Sequence, residues 1–168
     1  MLTEGLDWLG RLLQLPRHAQ QPVARARALN HAGHMIHLRG DMSAWTTHFP
    51  QVLDAVSQLD DRRYIAQEIV NHGIVLAQLG QHDEGRARIE EGLAMWRALG
   101  DVTGEARGLA NLGTVAKITG DTVRARELCR QSRALFEQTN NKEGIAWSLN
   151  HEADAVRWAG DVNTARAL

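Results

Sequence analysis

Apolar residues in this chain return at intervals of three and four, stop at a glycine or a polar pair, and resume 40 residues later in the same register. Between Val102 and Thr119, the residues Ala106, Leu109, Ala110, Gly113 and Ala116 follow this spacing, which lines one side of an α-helix. From Thr122 to Gln138 the same pattern continues in Val123, Ala125, Leu128, Cys129, Leu135 and Phe136. A glycine just past a helix takes the left-handed backbone that ends it, and an aspartate after it caps the next helix through its side-chain oxygen. Gly-Asp stands at 40, 120 and 160, with Gly80-Gln81 as a variant, and a second kind of turn is marked by Asp60-Asp61, Gly100-Asp101 and Asn140-Asn141. The pattern predicts helices at 22–39, 42–59, 62–79, 82–99, 102–119, 122–138 and 142–159. Pro50 falls inside the second of these and predicts a kink or break near Phe49, because proline removes a backbone donor and crowds the preceding turn.

Four further columns hold the register without a gap. Gly40, Gly80, Gly120 and Gly160 form one, and Ala26, Ala66, Ala106 and Ala146 another. Gly33, Gly73 and Gly113 with Ala153 form the third, and Leu29, Ile69, Leu109 and Leu149 the fourth. A period in this range marks a solenoid, whose helical hairpin cannot bury its apolar side alone and must stack on copies of itself. The full units are expected at 22–59, 62–99 and 102–138, in a single array over residues 1–168. Residues 2–15 read as the second helix of a partial first unit, since Glu4-Gly5 matches Glu84-Gly85, and 142–168 read as a partial last unit. Neither end reads as a polar capping helix, so the chain is expected to be a fragment of a larger protein.

Composition narrows the function. With 43% hydrophobic and 23% charged residues the chain is too apolar for disorder, and its net charge of -1 gives no general attraction to nucleic acid or anionic lipid. No run of 18 apolar residues suggests a membrane span, and the first residues do not read as a secretory signal. The single cysteine, Cys129, shares its column with Phe49 and Ile89 and reads as a small buried hydrophobe. A cytoplasmic protein is expected.

Leu109-Ala110-Asn111-Leu112-Gly113, then Thr119-Gly120-Asp121, then Ala125, resembles the tetratricopeptide repeat (TPR), as does Ile69-Val70-Asn71-His72-Gly73, then Leu79-Gly80, then Gly85. The unit is longer than the usual repeat and opens on Asp-x-x-Gly-x-Ala at Asp101 to Ala106, and on its Asn variant at Asn141 to Ala146. This long form is similar to the C-terminal sensor arrays of bacterial multidomain transcription regulators. The resemblance covers the whole chain and implies an all-α, right-handed superhelical solenoid of antiparallel hairpins. Trp45 departs from the pattern, standing where the family prefers alanine.

The resemblance also implies a function: a non-catalytic module that binds a protein or peptide segment, without cofactor, as the sensor or interaction region of a bacterial transcription regulator or signalling ATPase. In the family the first helices of the hairpins line a concave groove. Carried onto this chain, that groove holds Arg27, Asn30, His34, His37, Arg107, Lys117, Trp147, Asn150, Asp154, Arg157 and Trp158. Its arginines and Lys117 outnumber Asp154, which suits an acidic peptide held by guanidinium forks. No direct contact with nucleic acid or membrane is expected. The other reading is a structural or oligomerisation scaffold with an empty groove, pairing as a homodimer through apolar surface at the terminal helices.

Other candidate chemistry is thin. Trp8, Trp45 and Trp96 fall on second helices and read as fillers between repeats, whereas Trp147 and Trp158 flank the groove side. His31, His34 and His37 are the one cluster of metal-ligand type, but the outer two diverge by about 120° around a helix. A tight metal site is not expected from two imidazoles. The chain has no nucleophile motif or phosphate-cradling loop, and the acid pair Glu90-Glu91 falls on an outer helix, so no catalytic residue is expected.

Overall fold

The structure, a computed structural model, describes Arg11 and residues 22–160, apart from the side chains of residues 22, 30, 34, 37, 38, 42, 43 and 45–47. The helix expected at 2–15, Trp8, the side chain of Trp45 and the segment 161–168 lie outside the described residues. Within 22–160 the chain folds as α1 (Pro22–Leu38), α2 (Met42–Ser57), α3 (Arg62–Gln78), α4 (His82–Ala98), α5 (Val102–Ile118), α6 (Thr122–Gln138) and α7 (Lys142–Trp158). No strand occurs among the described residues.

The turn chemistry explains these boundaries. Pro22 opens α1, where its fixed φ suits a helix start and its missing donor costs nothing. Gly40, Gly80, Gly100, Gly120 and Gly160 adopt φ between 62° and 87°, and Asn140 does the same at 52°. The next residue then caps the following helix: Asp41 accepts from Ala44 N, Asp101 from Gly104 N, Asp121 from Arg124 N and Asn141 from Gly144 N. Asp61 likewise accepts from Tyr64 N. Asp60, however, does not enter the left-handed region, and α2 ends at Ser57, two residues before the expected 59.

Proline does not interrupt α2. The helix runs unbroken from Met42 to Ser57 through Pro50, contrary to the expected break. Pro50 is exposed, so water can satisfy the carbonyl it leaves without a donor, while buried Phe49, Val52, Ala55 and Val56 anchor the helix around it.

The chain divides into two compact units, residues 1–68 and 69–168, with the boundary inside α3. In the first, α1 packs on α2 around Ala26, Leu29, Val52, Ala55 and Val56, with Leu59, Tyr64 and Ile65 against them. In the second, α4, α5, α6 and α7 pack in chain order, and α5 also touches α7, the first helix of the next hairpin. Leu93, Leu109 and Leu128 centre that stack, with Leu112, Ala116 and Leu135 at its margin. Cys129 is buried, as its column predicts.

The glycine columns mark close approaches. Gly73 and Gly85 bring α3 and α4 into backbone contact, such that a Cβ on Gly73 would stand 2.6 Å from Gly85 O. Gly104 lies under the Trp96 indole, and Gly144 under the Phe136 ring in the same columns. In the first unit the sizes are exchanged, with Val56 in the aromatic's place and Tyr64 in the glycine's. Trp96 therefore fills a gap between repeats, as its place on a second helix predicts.

Two apolar columns fail locally. Val123 is 81% exposed, although its spacing had placed it on the apolar side of α6. Ala146 is exposed, whereas Ala26, Ala66 and Ala106 are fully buried. Among the described residues α7 is the last helix, packed by α6 and α5 only, so a position facing away from both meets water.

Candidate functional site

In the second unit, the first helices α5 and α7 lie against each other and combine side chains that neither helix presents alone. Thr114 Oγ1 donates to Ala110 O at 3.2 Å and lies 3.2 Å from His151 Nδ1. The hydroxyl and the imidazole thus share one hydrogen bond, and whichever ring nitrogen carries the proton, Nε2 of His151 remains a polar group for a further contact. Burial holds the His151 pKa below its ordinary value, helped by Lys117 and opposed by Asp154. The Trp147 ring meets His151 edge-on at a centroid distance of 4.6 Å and Phe136 at 6.5 Å.

Next to this aromatic step is a charged trio. Arg157 Nη2 donates to Asp154 Oδ1 at 2.8 Å, and Lys117 Nζ stands 3.5 Å from Asp154 Oδ2. One acid thus takes up part of both cations, leaving a net positive group. Of the expected groove residues, Lys117, Trp147, Asp154 and Arg157 come together here, joined by Thr114 and His151. Trp147 is wedged against Phe136 and is half-buried, while Trp158 at the end of α7 is 69% exposed. Arg107 and Asn150 are exposed on α5 and α7.

Arg27 belongs to the first unit. There it lines a cleft of about 580 Å³ with Val23, Gln58, Leu59, Asp60, Asp61 and Tyr64, a mixed wall and not a purely basic one. The side chains of Asn30, His34 and His37 lie outside the described residues. His31, the remaining histidine of that cluster, is exposed, and no metal-ligand group of three occurs among the described residues.

Sequence reasoning missed a second cluster. Glu152 on α7 is buried, and its carboxylate accepts from Arg130 Nε and Arg133 Nη1, both at 3.0 Å, with Arg126 Nε at 3.7 Å. The signal was present in the columns: Leu93 and Leu112 become Arg133 and Glu152 one period later, an apolar pair replaced by opposite charges.

The same column as Glu152 holds His72 on α3. Burial, followed by the charge of Arg88, pushes its pKa down to about 4. The unfolded chain takes up that proton near the ordinary 6.5 and the folded one only near 4, so stability falls as pH drops through this window. Thermal melts between pH 7 and pH 5 should show this decline, and His72→Leu, the residue found at 112, should flatten it. An unchanged slope would dissociate His72 from the acid sensitivity.

Comparison with known proteins agrees with the helical-repeat fold. A family model described as the tetratricopeptide repeat matches residues 62–138. The regulatory protein AfsR of Streptomyces griseus is 27% identical over 136 residues, which is 81% of this chain and 14% of that protein. The chain therefore spans only a small part of that relative. Among solved structures, BtubC from P. vanneervenii superposes with a TM-score of 0.72 at 13% identity, over 99% of this chain and 87% of the other. A signal transduction ATPase with numerous domains and a tetratricopeptide repeat sensor, from Pyrococcus horikoshii, gives 0.56 at 14% identity, over 89% and 26%. These two show the fold. Among the described residues no helix is long and apolar enough to cross a membrane.

Proposed function

We propose that the chain, whose residues 62–138 match the tetratricopeptide repeat model, is a non-catalytic protein-binding module whose α5/α7 face holds an extended peptide segment. The observation that carries this is the meeting of Lys117, His151, Asp154 and Arg157 from two rigid helices on one face. A peptide carboxylate competes with Asp154 for the Arg157 and Lys117 donors, while His151 Nε2 meets a backbone polar group. Arg107 and Asn150 extend the contact along the same helices. The similarity to a regulatory protein supports a place in the sensor region of a larger cytoplasmic transcription regulator or signalling ATPase, where the peptide belongs to a partner protein.

The test is binding of the chain to a peptide array that includes acidic sequences, repeated with Arg107→Ala and Lys117→Ala combined. Both substitutions lie at or near the surface, so the fold is expected to persist and affinity to fall by about tenfold or more. Unchanged binding would overturn the assignment. The 69% exposure of Trp158 favours a second reading, a scaffold that pairs with its own copy through this end of α7. Sedimentation showing a monomer at high concentration would remove it.

A further inference from the structure

Helix α6 concentrates guanidinium on one side. Arg126, Arg130 and Arg133 are spaced by four and three, so their side chains leave the helix together. All three lean on Glu152, whose side chain is only 2% exposed. Arg126 and Arg130 turn their Nε edges towards the same oxygen, Oε1, at 3.7 Å and 3.0 Å, while Arg133 takes Oε2 and also stands 3.7 Å from Glu137. A guanidinium carries five donors, so turning the Nε edge inward leaves the outer pair of Nη groups unspent. Those side chains remain 39% and 50% exposed, and among the described residues neither has an ion-pair partner besides Glu152.

The preceding repeat shows what is unusual. The same four columns there hold Arg86, Glu90, Leu93 and Leu112. Arg86 and Glu90 wall a cleft of about 340 Å³ over Leu112, Ala116 and Leu128, and their charges cancel. One period later the first two columns are both arginine, and the acid lies buried beside them on α7. Three cations, set against buried Glu152 and exposed Glu137, leave the cluster net positive.

We infer that Arg126 and Arg130, the second held by a hydrogen bond to Glu152 and the first drawn to it by charge, form an anion site on α6 for a phosphate monoester dianion. Two outward forks match the oxygens of a tetrahedral phosphoryl group, and a net positive cluster favours its higher charge, whereas a carboxylate offers one charge and two oxygens. The site stands on α6 and α7 alone and does not rest on the peptide reading.

The experiment is a titration of the 168-residue chain, labelled with ¹⁵N at arginine, following the Nε–Hε resonances. Inorganic phosphate and phosphoserine are the two phosphoryl probes, with acetate and sodium chloride at matched ionic strength as controls. Arg126 and Arg130 should shift saturably with a phosphoryl probe, and acetate should bind at least about tenfold more weakly. Response to inorganic phosphate as well as phosphoserine assigns a free oxyanion, and response to phosphoserine alone assigns a phosphorylated ligand. Arg126→Gln with Arg130→Gln should abolish the response while circular dichroism shows the helices intact. If that variant does not fold, Arg130→Lys keeps the charge, removes the fork, and should weaken binding. Shifts that do not saturate, that chloride reproduces, or that survive these substitutions would overturn the proposal.

Discussion

Glu152→Ala is expected to lower the free energy of unfolding by about 2–4 kcal/mol, because three guanidiniums then crowd the α6/α7 boundary without their shared acceptor. Each arginine keeps some access to water, which trims the figure from that for a fully enclosed pair. The columns supply a sharper comparison. Arg133→Leu with Glu152→Leu recreates the apolar pair found at Leu93 and Leu112, and exchange of a buried ion pair for packed hydrophobes is commonly neutral or stabilising by about 1–4 kcal/mol. Urea unfolding of both variants decides the matter: the double variant still leaves Arg126 and Arg130 without Glu152, but it should be more stable than Glu152→Ala. Were it to fall as low as Glu152→Ala, the ion cluster would outweigh the apolar pair at this interface.

Gly73→Ala should cost about 2–4 kcal/mol, and Gly85→Ala a similar amount, since either Cβ would stand within 2.6 Å of the opposing backbone carbonyl. Backbone cannot swing aside as a side chain can, so α3 and α4 must separate. Gly108 supplies the control. A Cβ there meets only Leu93 side-chain atoms, the nearest at 3.0 Å, and the gain in helix propensity of about 1 kcal/mol offsets the crowding. Gly108→Ala should therefore melt close to the parent chain. Equal losses at all three glycines would show that helix contact is not what separates them.

The fold was largely legible because its determinants are local. A glycine that must take positive φ, an oxygen that caps the next turn and apolar residues three or four apart act within a few residues of each other, so helix limits fell within two residues of expectation. Pro50 shows where that logic stops. A local penalty predicted a kink or a break, and the break does not occur, because buried neighbours around Pro50 hold α2 together. The candidate site was legible in part. Columns put Lys117, Asp154 and Arg157 on first helices, and Asp154–Arg157 is a pair three apart within α7, but the Lys117–Asp154 pair depends on how close α5 and α7 lie.

By itself, then, the sequence determined the helices, their turns and the repeat, since these follow from contacts between near neighbours in the chain and from a register that repeats them. Only the tertiary structure decided that Asp154 takes up both neighbouring cations, that Trp147 is wedged against Phe136 and that Glu152 is buried beneath arginines. Charge and aromatic surface carry no fixed meaning along a strand of letters. A side chain is a ligand group, a filler or a strut according to the helix that packs against it.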